Sequence, residues 1–306
     1  MKFDLGEVLT RMVKIGWKHK VMWLWQMLPG LLMIVFMPVM FLANPGFMMF
    51  MPEPYSQYAN EPWVILVFMG LMFVLVIPSV FLGIIAQLTT TYGAVKVEKG
   101  AEKLGFKELF QESLPYFWRV FGLYAIFGGA WMIIWFGIMS IMMAGTMLTM
   151  GLATICMFPL FLLAIPVIVV GYSVLELAQA AIVADDMKTL DAIKHGWELF
   201  RANVLGVVVV ILLLYFGMSI LSSIFVMPMS MFPMLLMPLG MVSEGDPGVL
   251  MGIIFAIFFM LMFVVIYVVQ GVLMTFFQTA WAVLYLRLSR TPDAPVMAEA
   301  TSVEVQ

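Results

Sequence analysis

Asp186-Met-Lys-Thr-Leu-Asp-Ala-Ile-Lys-His-Gly-Trp-Glu-Leu-Phe-Arg201 separates two long apolar runs, Met150 to Leu177 and Val204 to Met227. Within it Leu190, Ile193, Trp197 and Phe200 recur at steps of three and four, which predicts one apolar stripe on an amphipathic helix. Lys188, Lys194 and Arg201 make the segment basic. Each flanking run exceeds the roughly 20 apolar residues that a spanning helix needs. A basic segment between two such runs reads as a cytoplasmic connection, because Lys and Arg resist translocation.

The same pattern extends in both directions. Three further basic clusters occur, Lys2 to Lys20, Lys96 to Arg119, and Arg287 with Arg290, so all fifteen Lys and Arg fall on one side. The opposite links carry only Glu53, Glu61, Glu244 and Asp246 as charges. The spans are read as Val21 to Ala43, Trp63 to Leu88, Phe117 to Met143, Met150 to Leu177, Val204 to Met227, and Val249 to about Met274 with a continuation towards Tyr285. The expected fold is all-α: a polytopic membrane protein of six helices in three hairpins, with both termini cytoplasmic. Strands of a barrel would instead show short alternating segments.

Composition agrees: 64% of residues are hydrophobic and 11% charged, against roughly 25% charged in soluble domains. The net charge of -3 offers no basic surface to a nucleic acid. Lone Cys156 can close no intrachain disulfide and is expected to pack as a small apolar residue. About twenty residues precede the first run, too many for a usual signal peptide, so that run is read as a retained span. Residues 1–290 are one membrane domain, and 291–306 a disordered cytoplasmic tail. Pro78 and Pro166 are expected to kink their helices. The Pro- and Met-rich link from Pro228 to Gly248 is expected either to lie in the outer interface or to dip back into the bundle.

An internal repeat is also expected. Leu5, Val8, Leu9 and Met12 form a stripe before the first span, and Phe106, Leu109, Phe110, Leu114 and Phe117 form one before the third. Each segment delivers an aromatic and a cation to the inner interface: Trp17 with Lys18, Trp118 with Arg119, and Phe200 with Arg201. Each returning span ends near a glutamine: Gln87, Gln179 or Gln278. The copies are 1–100, 101–186 and 187–290, with cytoplasmic amphipathic helices at the interface. In the third, Asp191–Lys194, Lys194–Glu198 and Glu198–Arg201 stand at helical pair spacing, and Asp186 or Thr189 can cap the start.

The run from Ala180 to Asn203, with Gly16-Trp-Lys-His-Lys-Val-Met-Trp23, resembles a widespread bacterial group of six-helix membrane proteins. That group is related to the membrane domain of glycerophosphoryl diester phosphodiesterases. The resemblance implies a six-helix fold and no activity, since most members lack the catalytic barrel.

No motif for catalysis stands out. His19 and His195 have no ligand-spaced partners, and no Gly-x-Ser-x-Gly, Walker loop or His-Glu-x-x-His run occurs. No cofactor or metal is expected. Met48-Met49-Phe-Met51 and Met229-Ser-Met231 resemble Cu(I) sites, but methionine fills every span as well. Gly128-Gly129 is expected to let helices approach closely. Glu176 is the one ionisable acid or base within the six spans; it can pair with Lys188 or Arg201, or meet interfacial water. Gln87, Gln179 and Gln278 either converge as a polar ring or bond separately between helices. The expected function is non-enzymatic: a protein of the bacterial inner membrane that organises lipid or a membrane-protein partner complex. The alternative is a small permease, or permease subunit, for a neutral or amphipathic solute.

Overall fold

A computed structural model describes residues 5–43, 57–58, 61–149, 153–241 and 248–289. The expected tail 291–306, and Glu53, Glu244 and Asp246 of the opposite links, lie outside them. Among the described residues there are nine α-helices and no strand. Helices α1 (Leu5–Lys18) and α2 (Val21–Ala43) meet at a 77° bend. Then follow α3 (Pro62–Glu98), the short α4 (Phe106–Ser113), a 3-10 turn (Leu114–Tyr116) and α5 (Phe117–Leu148). The chain continues as α6 (Ala153–Asp185), α7 (Thr189–Ala202), α8 (Val204–Met241) and α9 (Gly248–Ser289).

Apolar runs of this length fold as unbroken helices because hydrocarbon offers their backbone no other hydrogen-bond partner. Five helices are long and apolar enough to cross a membrane, or six when the bent α1–α2 pair counts as one span. Expected starts at Val21, Phe117 and Val204 coincide with helix starts. Two expected links do not hold. The stretch from Pro228 is helical as far as Met241, and the helix expected to end at Met143 runs on to Leu148. A proline removes one backbone bond, whereas unwinding an apolar segment strands several, so the helix runs on through its prolines.

The returning helices α3, α6 and α9 touch one another pairwise at the centre. Each outgoing helix packs against two of them: α2 on α3 and α9, α5 on α6 and α3, α8 on α9 and α6. The short helices follow the same order, with α1 on α9, α4 on α3 and α7 on α6.

The core lies at the basic end of this bundle. The 37 residues of α3 extend about 55 Å at about 1.5 Å each, well beyond a hydrocarbon layer of roughly 30 Å. Fully buried side chains gather where the three helices converge: Leu88 to Val95 on α3, Val174 to Val183 on α6, and Phe277 to Tyr285 on α9. By contrast, the most apolar window of α5 has no buried residue. That surface is left to lipid.

The glycine at a close helix contact is not one of the pair the sequence suggests. A Cβ on Gly128 or Gly129 would meet nothing within 4 Å, so among the described residues this pair mediates no helix contact. A Cβ on Gly196 would stand 3.1 Å from the Ala178 nitrogen and the Val174 oxygen, both backbone. Gly196 is therefore where α7 seats directly on α6. The α7 stripe is corrected accordingly: Ala192, Gly196 and Phe200 are buried, while Leu190 and Trp197 are exposed. Small residues win the protein-facing side because they let the helices touch. Gly196→Val should lower stability by about 1–3 kcal/mol through overpacking, whereas Gly128→Val should leave the thermal midpoint in detergent nearly unchanged.

Candidate functional site: a polar junction at the basic end

Three consecutive threonines organise the convergence of the helices. Successive residues on a helix point about 100° apart, so Thr89, Thr90 and Thr91 of α3 face three different neighbours. Thr89 shares a hydrogen bond with Ser113 at the end of α4, 3.2 Å away. The Thr90 hydroxyl accepts from Gln26 Nε2 of α2 at 3.0 Å and donates to its own helix at Ala86 O. Thr91 accepts from Gln179 Nε2 of α6 at 2.8 Å and donates to Gln278 Oε1 of α9 at 3.1 Å.

From Thr91 the chain of bonds runs both ways. Gln278 Nε2 donates to Glu176 Oε1 at 3.2 Å. On the other side the Tyr124 hydroxyl of α5 meets Gln179 Oε1 at 2.6 Å and also contacts Gln87 Oε1. Gln87, Gln179, Gln278 and Glu176 are thus brought into one hydrogen-bonded chain. It is linked by Thr91 and Tyr124, which sequence reading passed over. A run of threonines behind a glutamine at the end of an apolar helix is the signal that could have found them, since β-branched hydroxyl residues are not favoured helix formers.

Glu176 is 1% exposed; its Oε2 is bonded by none of the chain's amides or threonines, and the Tyr172 phenol one turn earlier on α6 stands beside the carboxyl. The expected pairing with Lys188 or Arg201 does not form, and its burial also removes the option of interfacial water. Lys188 is the exposed N-cap of α7 and Arg201 is exposed near its other end, while Glu176 faces the three-helix interior.

Around this junction ion pairs tie the short helices to the helix ends. The Glu98 side chain of α3, 4% exposed, lies 3.3 Å from Arg11 Nε of α1 and 3.6 Å from Arg287 Nη2 of α9. Arg287 Nη2 also holds Glu7 of α1 at 2.8 Å. Lys96 pairs with Glu112 at 2.6 Å and with Glu108, fixing α4 on α3. Arg119 of α5 pairs with Asp186 and donates to its carbonyl at 3.0 Å, and Thr189 Oγ1 donates to Arg119 O at 3.0 Å. These contacts explain why neither Asp186 nor Thr189 caps α7, whose N-cap is Lys188 without a side-chain bond. None of the three expected pairs along α7 is among the ion pairs of the described residues. Solvated pairs of that kind contribute little.

The six expected interface anchors divide. Trp17 and Trp118 are 61% and 72% exposed, with Lys18 exposed and Arg119 half-buried. Phe200 is only 5% exposed and stacks on Trp197, 6.0 Å between ring centroids. Trp197 is the outward-facing aromatic of the third segment instead, with Arg201 exposed a turn later. The Gly-Trp steps at 16–17 and 196–197 therefore correspond better between the first and third segments than Trp17 and Phe200 do.

His19 occupies the bend between α1 and α2, buried, with no partner for its Nε2. Burial first, and the charge of Lys18 second, hold its imidazole below the ordinary value of 6.5. No protein-family model, curated protein or solved structure matches the chain.

Glu98→Ala should cost on the order of 3 kcal/mol, because it leaves the half-desolvated Arg287 short of a carboxylate. Arg11→Ala, at the exposed end of the same network, should cost less than about 1 kcal/mol. Both are read from thermal unfolding in detergent. The His19 contribution has a definite sign. A depressed value means that the unfolded chain takes the proton first, so stability is complete above 6.5 and is lost as pH falls below it. The midpoint of the native chain should therefore drop on acidification by more than that of His19→Gln.

Proposed function

We propose that the chain is a non-enzymatic, multi-pass protein of the bacterial cytoplasmic membrane that organises lipid, or a membrane partner complex, at the inner leaflet. The observation that carries this reading is the rim at the basic end. There α1, α4 and α7 surround the converged helices. Trp17, Trp118 and Trp197 stay exposed on that rim beside cations. Tryptophan belongs at the headgroup level, where its ring meets apolar chains and its N–H meets water. Each cation close to anionic lipid contributes roughly 1 kcal/mol.

On this reading both termini are cytoplasmic and the short helices lie in the headgroup layer. The three hairpins are degenerate copies of one unit. Support for the copies comes from the cyclic order of contacts, in which every outgoing helix sits between its own partner and the returning helix of another hairpin. Relatedness to the six-helix bacterial group rests on the Gly-Trp motifs quoted above.

Native mass spectra after gentle extraction test the function. Retained anionic phospholipid, or a stoichiometric membrane protein, is expected. A bare chain carrying a small solute would instead point to a permease, and bound copper to the methionine runs. Orientation is tested separately in a background in which Cys156 is replaced. Cysteines replacing Ser56 and Ser243 should react with an impermeant thiol reagent added to intact cells, and one replacing Ser302 should not.

A further inference from the structure

The Tyr124 hydroxyl has one proton, yet it faces a glutamine oxygen on each side, Gln87 Oε1 and Gln179 Oε1. Both bonds cannot be donated at once. A glutamine amide turned through 180° exchanges donor for acceptor at nearly the same position. The chain therefore has two self-consistent directions, and they differ in what they present to Glu176.

In the first, Gln87 turns so that its Nε2 donates to the Tyr124 oxygen. Tyr124 donates to Gln179, Gln179 to Thr91, Thr91 to Gln278, and Gln278 Nε2 to Glu176 Oε1. Every link but the first is in place in the structure. Glu176 Oε1 is then a pure acceptor, as an ionised carboxylate requires. In the second, the Gln179 and Gln278 amides turn and both hydroxyl protons rotate. Glu176 must then carry a proton on Oε1 and donate it to Gln278 Oε1. Gln278 Nε2 donates to Thr91, Thr91 to Gln179 Oε1, Gln179 Nε2 to Tyr124, and Tyr124 to Gln87 Oε1. That last contact is the one already present. The only net change is one proton bound from solvent at Glu176. Oε2 bonds no member of the chain in either state, and the Tyr172 phenol beside the carboxyl lies outside the chain, so Oε1 alone couples the acid to it.

We propose that Glu176 is a proton-binding site whose occupancy sets the direction of this hydrogen-bond chain. The state of the buried acid on α6 is thereby relayed through α9, α3 and α5 to Gln87, which is half-exposed at the α3–α5 edge. Nothing charged competes for the proton. The titratable groups around Glu176 are phenols: Tyr172 on its own helix, Tyr124 on α5, and Tyr215 on α8 beyond Tyr172. From α3 and α9 come the uncharged Thr91 and Gln278. Among the described residues no Lys, Arg or His pairs with Glu176. The inference stands apart from the lipid-organising reading and survives its failure.

The test is pH-difference infrared spectroscopy of the full chain in lipid nanodiscs. Glu176→Gln identifies the carboxyl band of Glu176, and Tyr124→Phe identifies the phenol band of Tyr124. The expected result is a protonated-carboxyl band that disappears as pH rises, with the Tyr124 band shifting at the same midpoint. In Thr91→Val, which cuts the chain in the middle at nearly constant volume, Glu176 should still titrate while the Tyr124 response is lost. Gln179→Met interrupts the same chain if Thr91→Val does not fold. The proposal is overturned if Glu176 does not titrate in the folded protein. It is equally overturned if the Tyr124 band stays fixed while Glu176 titrates, or if its shift survives interruption of the chain.

Discussion

Polar groups sealed where three helices converge have only one another as partners, since neither lipid nor bulk water reaches them. This constraint governs the basic end of the protein. An unpaired buried donor or acceptor costs about 1–3 kcal/mol, so the packing of α3, α6 and α9 must also satisfy their amides and hydroxyls. Thr89, Thr90 and Thr91 meet that requirement by turning to different neighbours, which locks the rotation of α3 against α4, α2 and the α6–α9 pair. Apolar packing alone would leave that rotation loosely defined, because in a bilayer lipid chains compete equally for leucine and valine surfaces.

The rim depends on this junction in turn. Helices α1, α4 and α7 are too short to hold their places alone, and each is seated on a returning helix. α1 is held through the Glu98–Arg287 network, α4 through Lys96 and the Thr89–Ser113 bond, and α7 through Gly196 and the link bonded to Arg119. Burial is concentrated at the basic end, and the most apolar windows of α3, α5, α8 and α9 are exposed along most of their length. Such a distribution suits a protein whose working surface is the headgroup layer on that side.

Much of this was legible in the sequence, for identifiable reasons. Spans and their basic connections follow from hydropathy and charge, which act through composition and need no knowledge of neighbours. The helix starts at Val21, Phe117 and Val204 can be read because Lys20, the Pro115-Tyr116 step and Asn203 stand just before them. Gln87, Gln179 and Gln278 could be picked out because an amide is conspicuous in an apolar run. Apart from the two helix ends beyond Met143 and Met227, which run on because hydrocarbon favours an unbroken helix, the differences concern pairwise geometry. Trp197, and not Phe200, holds the outward position, because a stripe at helical spacing does not say which edge faces protein. For Glu176 the sequence suggests a nearby cation or interfacial water, yet its partner Gln278 is 102 residues away. Gly128 and Gly129 carry the composition of a helix contact, but among the described residues no other helix meets them.

The central claim is that the basic end of the bundle is a dry, closed core although it borders water. Thiol accessibility tests it most directly. In a chain with Cys156 replaced, single Ala94→Cys, Ala180→Cys and Ala282→Cys variants place thiols where all three alanines are fully buried, and Lys103→Cys provides an exposed control. In lipid nanodiscs a water-soluble maleimide should label the control rapidly and the three core positions only after denaturation. Rapid labelling of the core positions in the native protein would contradict the account.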